Sequence, residues 1–221
     1  MKIVVIGATG GSGKASVEWL LKAGHEVTAF ARRPERLGIE ADRLRLVSGD
    51  VLSAEDVERA VTGQDAVVVT LGITENPVRV RLLGPARTPL DVRSRGTAQV
   101  IAAMRRAGVN RLIVQTSYGV GDTRARLRII DRLIFALLLA PQIADTERQT
   151  SLVTESGLAW TLIQPVHLTD APEHALPFSS TTGETARMTL SRSSVGRFLA
   201  QAATSPELIG HSVALSGSAS A

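Results

Sequence analysis

The chain has 221 residues, 44% of them hydrophobic, a size that supports one large α/β domain over residues 1–221 and is short for two. It contains no cysteine, which excludes disulfides, a thiolate nucleophile and zinc–thiolate sites; no metal centre is expected, and the cytoplasm is the expected compartment. Lys and Arg total 25 against 21 Asp and Glu, a formal net charge of +4, but the cations are spread along the chain and aromatic side chains are scarce, so nucleic-acid binding is not expected.

Ile3-Val4-Val5-Ile6 is β-branched and non-alternating, the pattern of a parallel strand buried on both faces, and Ser16 to Ala23 has helical character. Between them lies Gly7-Ala8-Thr9-Gly10-Gly11-Ser12-Gly13. A strand, a glycine turn and a helix in that order make a phosphate site. Gly7 permits the tight turn, Gly10 and Gly11 let backbone N–H groups approach a diphosphate, and Gly13 lets the helix pack close to the strand, with the helix N-terminus facing the anion. The spacing is G-x-x-G-x-x-G, so the dinucleotide fingerprint is met loosely, and a turn that merely closes a strand–helix corner is the competing reading.

Glu26 to Ala31 reads as the second strand and runs into Arg32-Arg33-Pro34. In sheets of this type a carboxylate ending that strand pairs the adenosine 2′-hydroxyl, whereas arginine accommodates a 2′-phosphate. No acidic residue stands there, so the expected cofactor is NADP(H), with Arg32 and Arg33 on the phosphate and Thr9 and Ser12 adding hydroxyls. A third strand at Arg43 to Val47 leads to Gly49-Asp50-Val51, where the Asp50 carboxylate can accept from the adenine amine. A helix at Ala54 to Val61 follows, with Ser53 as N-cap and Glu55 and Asp56 in its first turn. The fourth strand, Asp65 to Thr70, ends in Leu71-Gly72, which lets the chain pass close to the diphosphate and ribose; ordinary turn chemistry explains both Gly49-Asp50 and Leu71-Gly72 as well.

Residues 72–90 form a loop too long for a plain connector, with Pro77, Pro85, Pro89, Arg79, Arg81 and Arg87. It follows a strand's carboxyl end, where ligands bind in open α/β sheets, so a substrate lid is one reading of it. Then come a helix at Asp91 to Ala107, a fifth strand at Arg111 to Gln115, helices at Arg124 to Ala140 and Ile143 to Ser156, and a sixth strand at Ala159 to Gln164 ending at Pro165. The apolar run Leu133 to Ala140 falls far short of the ~20 residues that span a bilayer. Core, a homodimer face and a wall of an apolar substrate pocket all remain open for it. A strand at Thr185 to Leu190, a helix at Ser194 to Ala203, a strand near Ser212 to Leu215 and a frayed Ser216 to Ala221 complete the expectation. Strands alternating with helices predict right-handed crossovers and a doubly wound, Rossmann-type parallel sheet, with residues 73–90 and 165–190 on the substrate side.

The glycine turn, Ala31-Arg32-Arg33-Pro34, Gly49-Asp50-Val51, Thr116-Ser117 and Ser156-Gly157-Leu158-Ala159-Trp160-Thr161-Leu162-Ile163-Gln164-Pro165 together resemble the atypical short-chain dehydrogenase/reductases. Within them the chain is most similar to the NAD(P)H-binding group that includes biliverdin-IXβ reductase/flavin reductase and, more distantly, the NmrA-like redox-sensing regulators. The resemblance implies that Ser117 and His167 line the substrate pocket beside the nicotinamide and that Pro165 and Val166 contact its nicotinamide end. On the residues alone, His167 follows a strand's carboxyl end and reads equally as a site or a core histidine; His25, His174 and His211 read as surface or structural.

The usual members of that superfamily use Tyr-x-x-x-Lys to exchange a proton with an alcohol or carbonyl oxygen. This chain has one tyrosine, Tyr118, followed at the fourth position by Asp122, and no lysine after Lys22. Arginine stays protonated and supplies charge only. Hydride transfer into a conjugated acceptor needs less, because the π-system spreads the charge and solvent supplies the proton. The expected activity is therefore reduction of a flat acceptor (flavin, quinone or tetrapyrrole-like) by NADPH, with Ser117 and His167 orienting it and Tyr118 as a wall or donor. A non-catalytic NADP(H) redox sensor is the alternative, and an epimerase or dehydratase with a retained cofactor the third.

Overall fold

The computed structural model describes residues 1–72, 88–126, 140–171 and 176–218. Residues 73–87 of the expected lid, residues 133–139 of the apolar run and His174 lie outside the described residues. Strands β1 (Lys2–Ile6), β2 (Glu26–Ala31), β3 (Leu44–Ser48), β4 (Ala66–Val69), β5 (Arg111–Gln115) and β6 (Ala159–Pro165) are parallel neighbours in the order β3-β2-β1-β4-β5-β6. A parallel β10 (His211–Ser216) and an antiparallel β8 (Phe178–Ser180) extend this sheet to eight strands. The doubly wound expectation holds, with the order reversing between β1 and β4. β7 (His167–Thr169) and β9 (Thr189–Ser191) form a separate parallel pair.

Helices cover both faces. On one, α1 (Gly11–Lys22) packs against α5 (Arg192–Ala203); on the other, α3 (Val92–Ala107) packs between α2 (Ala54–Val61) and α4 (Ala140–Thr154). The strand sequence explains this directly. Ile3 and Val5 belong to the α1/α5 core, and Val4 and Ile6 to the α2/α3 core, all fully buried. Each such side chain contributes roughly 1.5–3 kcal/mol, which is why the run is apolar without alternation. The α1–α5 contact is close because Gly196 has no side chain: a Cβ there would stand 2.4 Å from Ala15 Cβ.

The expected boundaries shift in places. The first helix begins at Gly11 and not at Ser16, so the second half of the glycine turn is already helical. α2 and β5 match residue for residue, and the Ser53 side chain accepts the Asp56 N–H as an N-cap should. Of the helix expected over Arg124 to Ala140, residues 124–126 fall in a 3-10 helix, Gly121–Arg126, and Ala140 is the first residue of α4. The strand expected at Thr185 to Leu190 is corrected to Thr189–Ser191, because Arg187 makes only an isolated bridge, to Gly217. Ser216, expected to fray, is fully buried in β10, where its hydroxyl accepts the Ala186 N–H. Among the described residues no helix is long and apolar enough to cross a membrane.

Candidate functional site

The glycine turn lies at the carboxyl edge of β1, held from both neighbouring strands. The N–H groups of Gly7 and Ala8 donate to Phe30 O on β2, at 3.0 and 3.2 Å. From the other side the Thr70 hydroxyl, just past β4, donates to Ile6 O and Gly7 O, at 3.1 and 3.3 Å. Gly7 takes φ +87°, a left-handed conformation that favours glycine, and Gly10 N–H returns to Gly7 O at 3.1 Å. A Cβ on Gly13 would stand 2.3 Å from Gly7 O and 2.7 Å from Thr70 Oγ1. The helix therefore starts against the strand.

Gly10 is the N-cap of α1 and supplies no capping side chain, and the first turn contains no acidic residue. Its amides are left for an anion, and the helix dipole reinforces the attraction. These residues fit a dinucleotide diphosphate: a cradle of N–H groups whose glycines leave no side chain in the way. Thr9 is exposed at the turn, whereas Ser12 is buried beneath it.

Arg32 and Arg33 follow β2 directly and are exposed, one strand from the cradle. Arg32 Nη2 donates to Thr88 Oγ1 at 3.2 Å. At the end of β3, Asp50 is exposed, but its Oδ1 accepts the Leu52 N–H at 2.9 Å, so part of the carboxylate expected to face adenine serves the turn. Asp56 accepts the Asp50 N–H at 2.9 Å and pairs with Arg59 at 2.8 Å; these bonds, the backbone one foremost, hold its carboxyl below the usual range. Leu71 and the buried Val51 both face Gly96 of α3, where a Cβ would meet Leu71 Cδ1 at 2.7 Å and Val51 Cγ1 at 3.0 Å.

Past the end of β5, Tyr118 N–H donates to Pro165 O of β6 at 3.0 Å, and just past β6 Val166 N–H donates to Leu215 O of β10 at 3.0 Å. Ser117, half-buried, Pro165 and the buried Val166 thus share one rim. His167, next along, is exposed at the start of β7. Tyr118 is buried, and its phenol donates to Gly183 O at 3.2 Å.

A cluster that sequence reading missed lies where α3 and α4 meet the end of β4. The buried Asp145 of α4 accepts the Arg93 N–H at 3.0 Å, the Ser94 N–H at 3.2 Å and the Ser94 hydroxyl, capping α3 from a neighbouring helix. The Arg93 Nη1 donates to Thr146 Oγ1 at 2.7 Å, and its Nη2 would lie 3.3 Å from a Cβ on Gly72. Burial pushes this guanidinium below the usual arginine range, and Asp145 pulls it back. The available signal was a cation in the first turn of a helix, against the macrodipole. Arg192 was also missed: a Cβ on Gly11 would meet its Cδ at 2.4 Å, and its Nη1 pairs with Asp170 at 2.6 Å. An open groove between Ser94, Arg95, Ala98 and Arg148 lies on the outer faces of α3 and α4.

A family model described as NAD(P)H-binding matches residues 7–206. A (4-alkanoyl-5-oxo-2,5-dihydrofuran-3-yl)methyl phosphate reductase of Streptomyces griseus is 29% identical over 163 residues, 74% of this chain and 46% of that protein. The chain thus spans less than half the length of that curated relative. Among solved structures, ChuY, an anaerobillin reductase from Escherichia coli, superposes with a TM-score of 0.76 at 20% identity, covering 97% of this chain and 96% of the other. A short-chain dehydrogenase/reductase from Veillonella parvula, in complex with NADP, gives a TM-score of 0.78 at 18% identity, covering 98% and 94%. At these identities the structures speak for the fold.

Proposed function

The chain belongs to the NAD(P)H-binding family, and from that premise we propose that it is an oxidoreductase that passes a hydride from NADPH to a flat conjugated acceptor such as a flavin, a quinone or a tetrapyrrole. The observation that carries this reading is the cradle of first-turn amides on α1 with two exposed arginines one strand away. The cradle suits a diphosphate, and guanidinium groups suit an added 2′-phosphate, which they bind through charge-assisted, often bidentate bonds.

When bound, the cofactor supplies the hydride. This chain's own part is positioning: the rim of Ser117, Pro165 and Val166 supports the reacting pair, and the exposed His167 is free to orient the acceptor. Alignment of donor and acceptor is worth up to ~7–11 kcal/mol of the barrier in favourable cases. An acid–base tyrosine is not required, which agrees with a Tyr118 phenol already donating to Gly183 O. The test is oxidation of NADPH by the purified protein with a panel of flavins, quinones and linear tetrapyrroles. Turnover that falls in His167→Ala supports the reading; no oxidation with any acceptor, and no effect of His167→Ala, ends it.

The engaged Tyr118 phenol also favours a second reading, a protein that binds NADP(H) and reports redox state without chemistry. Tight, unequal affinity for NADP⁺ and NADPH with no oxidation across the panel selects this one.

A further inference from the structure

We propose that Arg93 is the cation that holds the ribose on the nicotinamide side of the cofactor, through the hydroxyl oxygens of that sugar. This inference rests on the cofactor reading above and adds to it a residue from the middle of the chain.

The argument starts from the order of the strands. The 2′-phosphate end is read beyond β2 and the diphosphate at the turn beyond β1, so an extended dinucleotide advances toward β4 and β5. Neighbouring strands lie about 4.8 Å apart, and one such step past the diphosphate brings the second ribose over the end of β4. Gly72 stands at that end, its missing side chain leaving room, and the Arg93 guanidinium lies alongside it. One step further are the β5 and β6 ends, with Ser117 and Pro165 placed for the nicotinamide and acceptor.

Arg93 makes no direct ion pair among the described residues, although the Asp145 charge lies nearby. The Asp145 carboxylate is engaged by the α3 backbone and by Ser94, and Thr146 Oγ1 is the one acceptor of the guanidinium among the described residues. A guanidinium has five N–H donors, and the half-buried Arg93 therefore keeps donors to offer a ligand. A buried polar atom without a partner lies on the same face of the sheet. Leu162 belongs to the α3 core, strand alternation puts Gln164 on that side, and Gln164 Oε1 is buried with no hydrogen-bond partner although its amide reaches Val120 O at 3.0 Å.

Calorimetric titration of wild type, Arg93→Met and Arg93→Lys with NADPH and with 2′,5′-ADP, which lacks the nicotinamide ribose, tests the assignment. Arg93→Met should weaken NADPH about tenfold or more and leave 2′,5′-ADP within about twofold, with Arg93→Lys between. Unchanged NADPH affinity, with or without a raised KM for the acceptor, overturns it. Equal weakening of both ligands also overturns it, since that is damage to the cradle. If Arg93→Met does not fold, Arg93→Gln, which can still donate to Thr146, carries the same expectation. Failure of the wild type to bind either ligand would instead refute the cofactor reading itself.

Discussion

Gly13 rests against the carbonyl of Gly7: a Cβ at position 13 would come within 2.3 Å of that oxygen, so the first turn of α1 can sit at the strand edge only if residue 13 is glycine. Gly13→Ala must push the helix outward, at a cost of about 1–3 kcal/mol of stability, and must weaken NADPH binding with it. Gly10 differs, since a Cβ there meets only Gly7 O, at 3.4 Å, and its φ of −74° suits any residue. Gly10→Ala should stay within about 0.5 kcal/mol of wild type in urea denaturation while placing a methyl at the cradle and reducing affinity.

Arg32 and Arg33 are the residues proposed to read the 2′-phosphate. Replacing either by alanine should weaken NADPH by about tenfold, the loss of one charge-assisted hydrogen bond, while NADH affinity changes little. Fluorescence titration with both cofactors checks this. A wild-type preference for NADH would remove these residues from the phosphate site.

Asp145 holds the start of α3 from α4. Asp145→Ala leaves the Arg93 and Ser94 N–H groups without their acceptor and the nearby guanidinium without its counter-charge. The expected loss is about 3 kcal/mol, read as a lower urea midpoint at unchanged slope.

Glu184 provides a test by pH. Hydrogen bonds from the Ser180 hydroxyl first, then from Thr182, hold its carboxyl down from 4.5 to about 2. Because the folded value is the lower one, its contribution is complete above pH 4.5 and is lost as the pH falls toward 2. Carbon NMR of the Glu184 carboxyl should give the depressed value. The protection factor of the Thr182 amide, which donates to Ser180 Oγ at 3.1 Å, should fall over that range in wild type and stay constant in Glu184→Gln once exchange rates are divided by their intrinsic values.

The parallel core was legible because its signals are local. β1, β2, β4, β5 and β6 announce themselves by short apolar stretches, and Ser53 with Glu55 and Asp56 marks the start of α2 from neighbours alone. The cradle was legible for the same reason, since every glycine in it belongs to one continuous turn. What escaped was made by distant partners. Asp145 meets the start of α3 across 52 residues, and Arg192 reaches Gly11 from the opposite end of the chain. No period or spacing encodes such meetings. The three-residue strand Thr189–Ser191 is fixed by pairing with β7, so its own composition overstated its length.

The contact of Gly196 with Ala15 bears on how the protein is made. The helix that carries the glycine turn is synthesised well before α5, the helix that backs it. Until residue 196 has emerged, one flank of that helix stays bare, so the turn it carries gains its backing only through a long-range closure, which slows folding.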